Sequence, residues 1–100
     1  MKVRFTQSGG YAGLIKGCQV DAKELPAEEA DALRRLVEES SMPESGQYLS
    51  DAGRDLQEYE ITIERGGKET SLVFDDETLP HSAKPLVGYL KKRSKPQPPG

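Results

Sequence analysis

The sequence predicts an α+β fold: a four-stranded, mainly antiparallel sheet with two helices on one face, in the order ββα-ββα. Three observations predict it. Short runs alternate apolar and polar residues with the period of two that marks a half-buried strand. Glycine pairs, Gly9-Gly10 and Gly66-Gly67, separate such runs as tight turns require. Each half then closes on a Leu-Pro step that opens a helix. Val20-Asp21 to Leu25-Pro26 parallels Phe74-Asp75 to Leu79-Pro80 at an offset of 54 in both cases.

Val3 and Phe5 alternate with Lys2, Arg4 and Thr6 as the first strand. Tyr11 to Val20 resumes as a second extended run, interrupted by Gly13 and Gly17. Pro26 suits a first helical turn, and Glu28 and Glu29 suit the positive end of the helix dipole. Ala30, Leu33, Leu36 and Val37 make one apolar stripe, and the helix is expected to end near Ser40. Ser41 to Arg54 reads as a long loop, a length that marks function or disorder. Tyr59, Ile61 and Ile63 alternate with Glu58, Glu60, Thr62 and Glu64 as the clearest strand. Thr70, Leu72 and Phe74 form its return. Leu86, Val87, Tyr89 and Leu90 are the apolar content of the second helix, whose start Pro85 places near Lys84. Lys91 to Lys95 fits a helix C-terminus.

With 100 residues, the chain is expected to form one domain over residues 1–95, followed by a disordered Pro-rich tail at 96–100. One Cys excludes an internal disulfide, and one Cys with one His excludes a four-ligand structural zinc site. No apolar run approaches the roughly 18 residues of a membrane span. The N-terminus alternates and shows no signal-peptide core. The expectation is a soluble, cytoplasmic protein with no membrane partner.

Charge is unevenly spread. Residues 21–60 hold twelve acids against four basic groups, a net of −8, while residues 1–20 hold three basic groups and no acid. The acidic block argues against nucleic acid and would suit a cationic partner, but a solvated helix face plus a polar loop is the favoured reading. Lys91 to Lys95 is basic but short and lacks interleaved aromatics, so no nucleic-acid partner is expected.

Catalytic signals are weak, and no enzyme activity is expected. His81 stands at a helix entrance without a nucleophile motif, and Cys18 reads as a small buried hydrophobe beside Val20. The Gly-Gly pairs lack the Lys-Ser/Thr of a phosphate loop. Asp75-Asp76-Glu77 reads as a solvated turn or helix-entrance acids. Ser8-Gly9-Gly10-Tyr11-Ala12-Gly13-Leu14 is unusual for a plain hairpin, because it sets a Tyr and a Leu between glycines. They either fold back onto the core or present an apolar contact loop. If the first helix runs antiparallel to the second strand, one end of the sheet collects Gly9-Gly10, the loop 41–54 and Asp75-Asp76. Irregular segments on a rigid scaffold are where function concentrates.

Several stretches together resemble the emfourin family. They are Arg4 to Leu14, Asp21-Ala22-Lys23-Glu24-Leu25-Pro26-Ala27-Glu28-Glu29-Ala30, Arg34-Arg35-Leu36-Val37, Asp55 to Glu64, and Leu79-Pro80 with Pro85-Leu86-Val87. The likeness covers roughly residues 2–90 and is weakest over loop 40–54. It implies a small bacterial inhibitor of thermolysin-like zinc metalloproteases, notably protealysin-like ones. Such an inhibitor plugs its target's active site. A loop carboxylate reaches the target's catalytic zinc, and apolar loop residues fill substrate subsites. On that footing Gly9, Gly10, Tyr11, Ala12 and Leu14 are expected to contact subsites. Asp76, Asp75 and Asp55 are the candidate zinc ligands, with Asp51 inside the loop; the kinship of Asp75 with Asp21 points to helix entry and favours Asp76 and Asp55. The chain has no His-Glu-x-x-His motif, and it is expected to act as a monomer with no cofactor or metal of its own. The competing reading is a non-inhibitory interaction module that uses its acidic surface.

Overall fold

The computed structural model describes residues 1–9, 15–51 and 56–96. In chain order they form strand β1 (Lys2–Gly9), β2 (Lys16–Asp21), helix α1 (Ala27–Glu39), β3 (Gly46–Tyr48), β4 (Gln57–Arg65), β5 (Lys68–Asp75), α2 (Lys84–Arg93) and β6 (Lys95–Pro96). Short 3₁₀ turns at Ala22–Glu24 and His81–Ala83 lead into the two helices.

The sheet corrects the expectation of four antiparallel strands. It has six, in the order β3-β5-β4-β1-β2-β6, and it is mixed because β3 runs parallel to β5. The antiparallel centre β5-β4-β1-β2 is the part that alternation revealed. The two added strands are edge pieces too short to show a period. Tyr48 secures β3 by stacking on Phe74 at 5.4 Å and donating its hydroxyl to the Glu44 carbonyl at 2.6 Å. Ser71 N–H also reaches Ser45 Oγ at 3.0 Å. β6 pairs Lys95 and Pro96 with Gly17 and Lys16, so the chain order becomes ββα-βββα-β. Proline is tolerated there because an edge strand has one side without ladder bonds.

Strand register decides which side chains share a face. Phe5 lies opposite both Cys18 and Ile61, and Ile61 lies opposite Leu72. Val3, Val20 and Ile63 form the next row. Both helices cover this face with Ala30, Leu33, Val37, Leu86, Val87 and Leu90, all buried. The opposite face carries Arg4, Glu60, Thr62, Glu64, Glu69 and Ser71. It is laced by an Arg4–Glu69 ion pair at 3.1 Å and a Thr62–Ser71 hydroxyl contact at 3.0 Å.

One step of the expected path is also corrected. Glu38, near the end of α1, ion-pairs with Arg65 beside the Gly66-Gly67 turn. The helix thus delivers the chain to the hairpin end of the sheet, not to the Gly9 end. Ser41, in the left-handed region at φ 48, turns it there, a role glycine usually fills. β3 then carries the chain back alongside β5.

Candidate functional site

Register places Gly9 opposite Gln57, Glu58 opposite Asp75, and Tyr48 opposite Phe74. The end of β1, the exit of segment 41–51 and the turn after β5 therefore meet at one end of the sheet. Asp21 pairs with Lys2, which pairs with Glu64, at the opposite end. Gly10, Tyr11, Ala12 and Leu14, expected to contact subsites, and Asp55, a candidate ligand, lie outside the described residues. Gly9, Asp75 and Asp76 lie within them.

Gly9 is held by its backbone. Its φ is +103°, and a Cβ there would stand 2.8 Å from the Leu56 carbonyl oxygen. Only glycine meets both conditions without distortion. Gln57 braces the spot: its amide donates to the Gly9 carbonyl at 3.4 Å, and Gln7 donates to its side-chain oxygen at 2.9 Å.

The two neighbouring aspartates differ in accessibility. Asp75 is fully buried. Oδ2 accepts the Ser50 N–H at 2.7 Å and the Ser50 hydroxyl at 2.8 Å. Oδ1 accepts the N–H groups of Glu77 at 2.8 Å and Thr78 at 3.0 Å. Burial alone would raise its pKa, but these donors outweigh it and hold the carboxyl down to about 2. A carboxylate offers about four lone-pair sites, and Asp75 uses all of them. It ties the loop to the turn before Leu79, much as Asp21 accepts the Lys23 N–H at 3.0 Å before Leu25. In each half an aspartate thus closes the turn ahead of the Leu-Pro step, while the helices themselves start after Pro26 and Ala83 without a side-chain cap.

Asp76 is exposed. Oδ2 accepts the Gln57 N–H at 3.1 Å, and Oδ1 accepts the hydroxyl of Tyr59. One lone-pair site on each oxygen is left over among the described residues. The Tyr59 ring is buried at 3% exposure, and its hydroxyl also accepts from Lys91 Nζ at 3.3 Å. Burial, then the hydrogen bond to Asp76 and that carboxylate's charge, push the phenol's pKa up, so Tyr59 stays a donor.

Tyr59, Lys91 and Leu49 escaped the sequence reading. Alternation marks Tyr59 only as a strand residue, and Lys91 stands out only within a basic run that suits a helix end and is too short for nucleic acid. Leu49, at 43% exposure the one exposed large hydrophobic among the described residues, follows Tyr48 at this same end. It sits in a segment without periodicity, so nothing in the pattern marked it.

Apart from Glu58, which faces Asp75 across the ladder, the remaining features do not converge on this end. The acids of the middle block are dispersed: Glu29, Asp31 and Glu38 pair with Arg93, Arg34 and Arg65, while Glu58 and Glu60 stand on β4. The half-buried Cys18 thiol donates to the Leu90 carbonyl at 3.5 Å, and burial pushes its pKa up against the lowering effects of Ser94 and Arg93. His81 is exposed in its 3₁₀ turn. A groove of about 720 Å³ lies at the hairpin end, between Val37, Met42, Ile63, Arg65 and Lys68, and contains none of the candidate residues. Among the described residues no three His, Cys, Asp or Glu side chains group to hold a metal, and no helix is long and apolar enough to cross a membrane.

No curated protein and no solved structure matches the chain. A family model described as emfourin matches residues 5–91, which run from within β1 through β2, α1, β3, β4, β5 and the Asp75–Asp76 turn into α2. That span covers most of the 100 residues, and the chain belongs to the emfourin family, the inhibitor family its sequence resembles.

Proposed function

We propose that this chain inhibits thermolysin-like zinc metalloproteases by placing Asp76 on the target's catalytic zinc. Family membership supports the metalloprotease-inhibitor role. One observation carries the choice of ligand: Asp76 is exposed with a lone-pair site to spare on each oxygen, whereas Asp75 is buried and saturated. A metalloprotease zinc keeps its fourth position open for water, and a carboxylate oxygen is an accepted zinc ligand. Displacing the water removes the nucleophile.

Leu49 and the segment Gly9 to Leu14 contact the target's substrate subsites, with Tyr11 and Leu14 as apolar anchors. The inhibitor acts as a monomer and brings no metal of its own. A plug of this kind is expected to bury about 800 Å² on each partner.

The test is an inhibition assay against a thermolysin-like enzyme with Asp51→Ala, Asp55→Ala, Asp75→Asn and Asp76→Ala. Asp76→Ala is expected to weaken inhibition most, by more than the roughly 10–100-fold that removing an outer partner of a metal ligand costs. A dominant effect at Asp55 would move the ligand there, and equal mild effects at all four would rule out zinc coordination. Competition by a small zinc-directed inhibitor is expected as well.

A further inference from the structure

Three elements meet around the contact between Tyr59 and Asp76. β4 supplies Tyr59 and the Gln57 N–H, the last turn of α2 supplies Lys91, and the turn after β5 supplies the carboxylate itself. The Tyr59 ring is fixed in the core, stacked on Phe5 with centroids 6.3 Å apart. Its hydroxyl meets the exposed Asp76. Lys91 Nζ lies 4.8 Å from the centroid of the Tyr59 ring, as well as on the Tyr59 hydroxyl. It makes no ion pair among the described residues.

An exposed aspartate needs none of this for stability, since water would satisfy it. What the arrangement does is restrict the side chain. Tyr59 and the Gln57 N–H each hold one oxygen, so rotation about the Cα–Cβ and Cβ–Cγ bonds is stopped from both sides. A ligand fixed before binding loses less freedom on binding. Ligating carboxylates are also characteristically hydrogen-bonded from behind.

We propose that Tyr59 and Lys91 are positioning residues, Tyr59 orienting the Asp76 carboxylate for the target's zinc and Lys91 holding the Tyr59 hydroxyl in place. This rests on Asp76 being the ligand. Phe at position 59 would pack identically, so the hydroxyl is separable from the core role of the ring.

The test is a double-mutant cycle with Tyr59→Phe and Asp76→Ala, reading the inhibition constant against a thermolysin-like protease and the thermal midpoint of each variant. Tyr59→Phe is expected to weaken inhibition about 10-fold, in the range for removing a partner of a metal ligand, with the protein still folded. In the Asp76→Ala background the same change is expected to do nothing. Lys91→Met is expected to act in the same direction, more weakly, and gives a second cycle that leaves the core untouched. Wild type and Tyr59→Phe are expected to bind the zinc-stripped protease equally.

Strong loss from Asp76→Ala with none from Tyr59→Phe and Lys91→Met would overturn the positioning role alone. So would a Tyr59→Phe effect that persists without Asp76 or without zinc. No loss from Asp76→Ala would overturn the zinc-ligand reading and the positioning role with it.

Discussion

Ser50 binds Asp75 twice through one oxygen, its backbone N–H at 2.7 Å and its hydroxyl at 2.8 Å. The residues stand 25 apart in sequence, and this contact joins the exit of β3 to the end of β5. A charged acceptor with four donors is pinned in its ionised form. Its loss therefore affects the loop beside the candidate site before it affects the core.

The pH dependence of folding is expected to report Asp75. Its folded pKa of about 2 lies below the ordinary 3.8, so the unfolded chain takes up the proton first as pH falls. The stabilisation is complete well above pH 3.8 and is lost as pH falls through about 2. Asp75→Asn is expected to lower the thermal midpoint at pH 7, and the gap to wild type is expected to close towards pH 2. Thermal melts at a series of pH values check both.

Gly9→Ala is expected to destabilise the fold by about 1–3 kcal/mol, because it combines a forced positive φ with backbone overlap. Gly66→Ala is the comparison: its φ is +55° but no atom lies within 4 Å of an added Cβ. Its cost is expected to be about 1–2 kcal/mol from the left-handed backbone alone. Urea denaturation of both separates the close approach from the conformational preference.

Leu49→Ala is expected to weaken protease inhibition about 10-fold, equivalent to about 1.4 kcal/mol, while leaving stability nearly unchanged. The side chain is exposed in the free protein, so removing it costs the fold little. An inhibition constant measured beside a thermal melt distinguishes a contact residue from a structural one.

Leu33→Ala is expected to cost about 2–5 kcal/mol, since Leu33 is fully buried where α1 meets the sheet. A denaturation midpoint provides the check. The inhibition constant of the fraction still folded is expected to hold, because Leu33 is fully buried and offers no surface to a partner.

Strong periodicity made much of this fold legible. Tyr59, Ile61 and Ile63 announce β4, the Leu-Pro steps announce both helices, and Pro85 places the start of α2 at Lys84. β3 and β6 were hidden because three and two residues show no alternation, and their pairing partners lie far away in sequence. The direction of α1 departs from the expected one because the Glu38–Arg65 pair that marks its far end spans 27 residues and leaves no local signal. At the site, the acidic pair was visible as composition. The division of labour within it was not, because it depends on donors from Ser50, Gln57 and Tyr59 that only the fold assembles.

β3 has a consequence for an inhibitor that meets a protease. A protease takes its substrate as an extended chain, and Gly46–Tyr48 is already extended, but one of its edges is occupied by β5. The segment must detach before it can be threaded into a cleft, and cleavage then tracks the population of the detached form. Tyr48 on Phe74 and Ser50 on Asp75 set that population. Resistance to digestion at this segment is thereby built into the edge of the sheet, independently of how tightly the target is held.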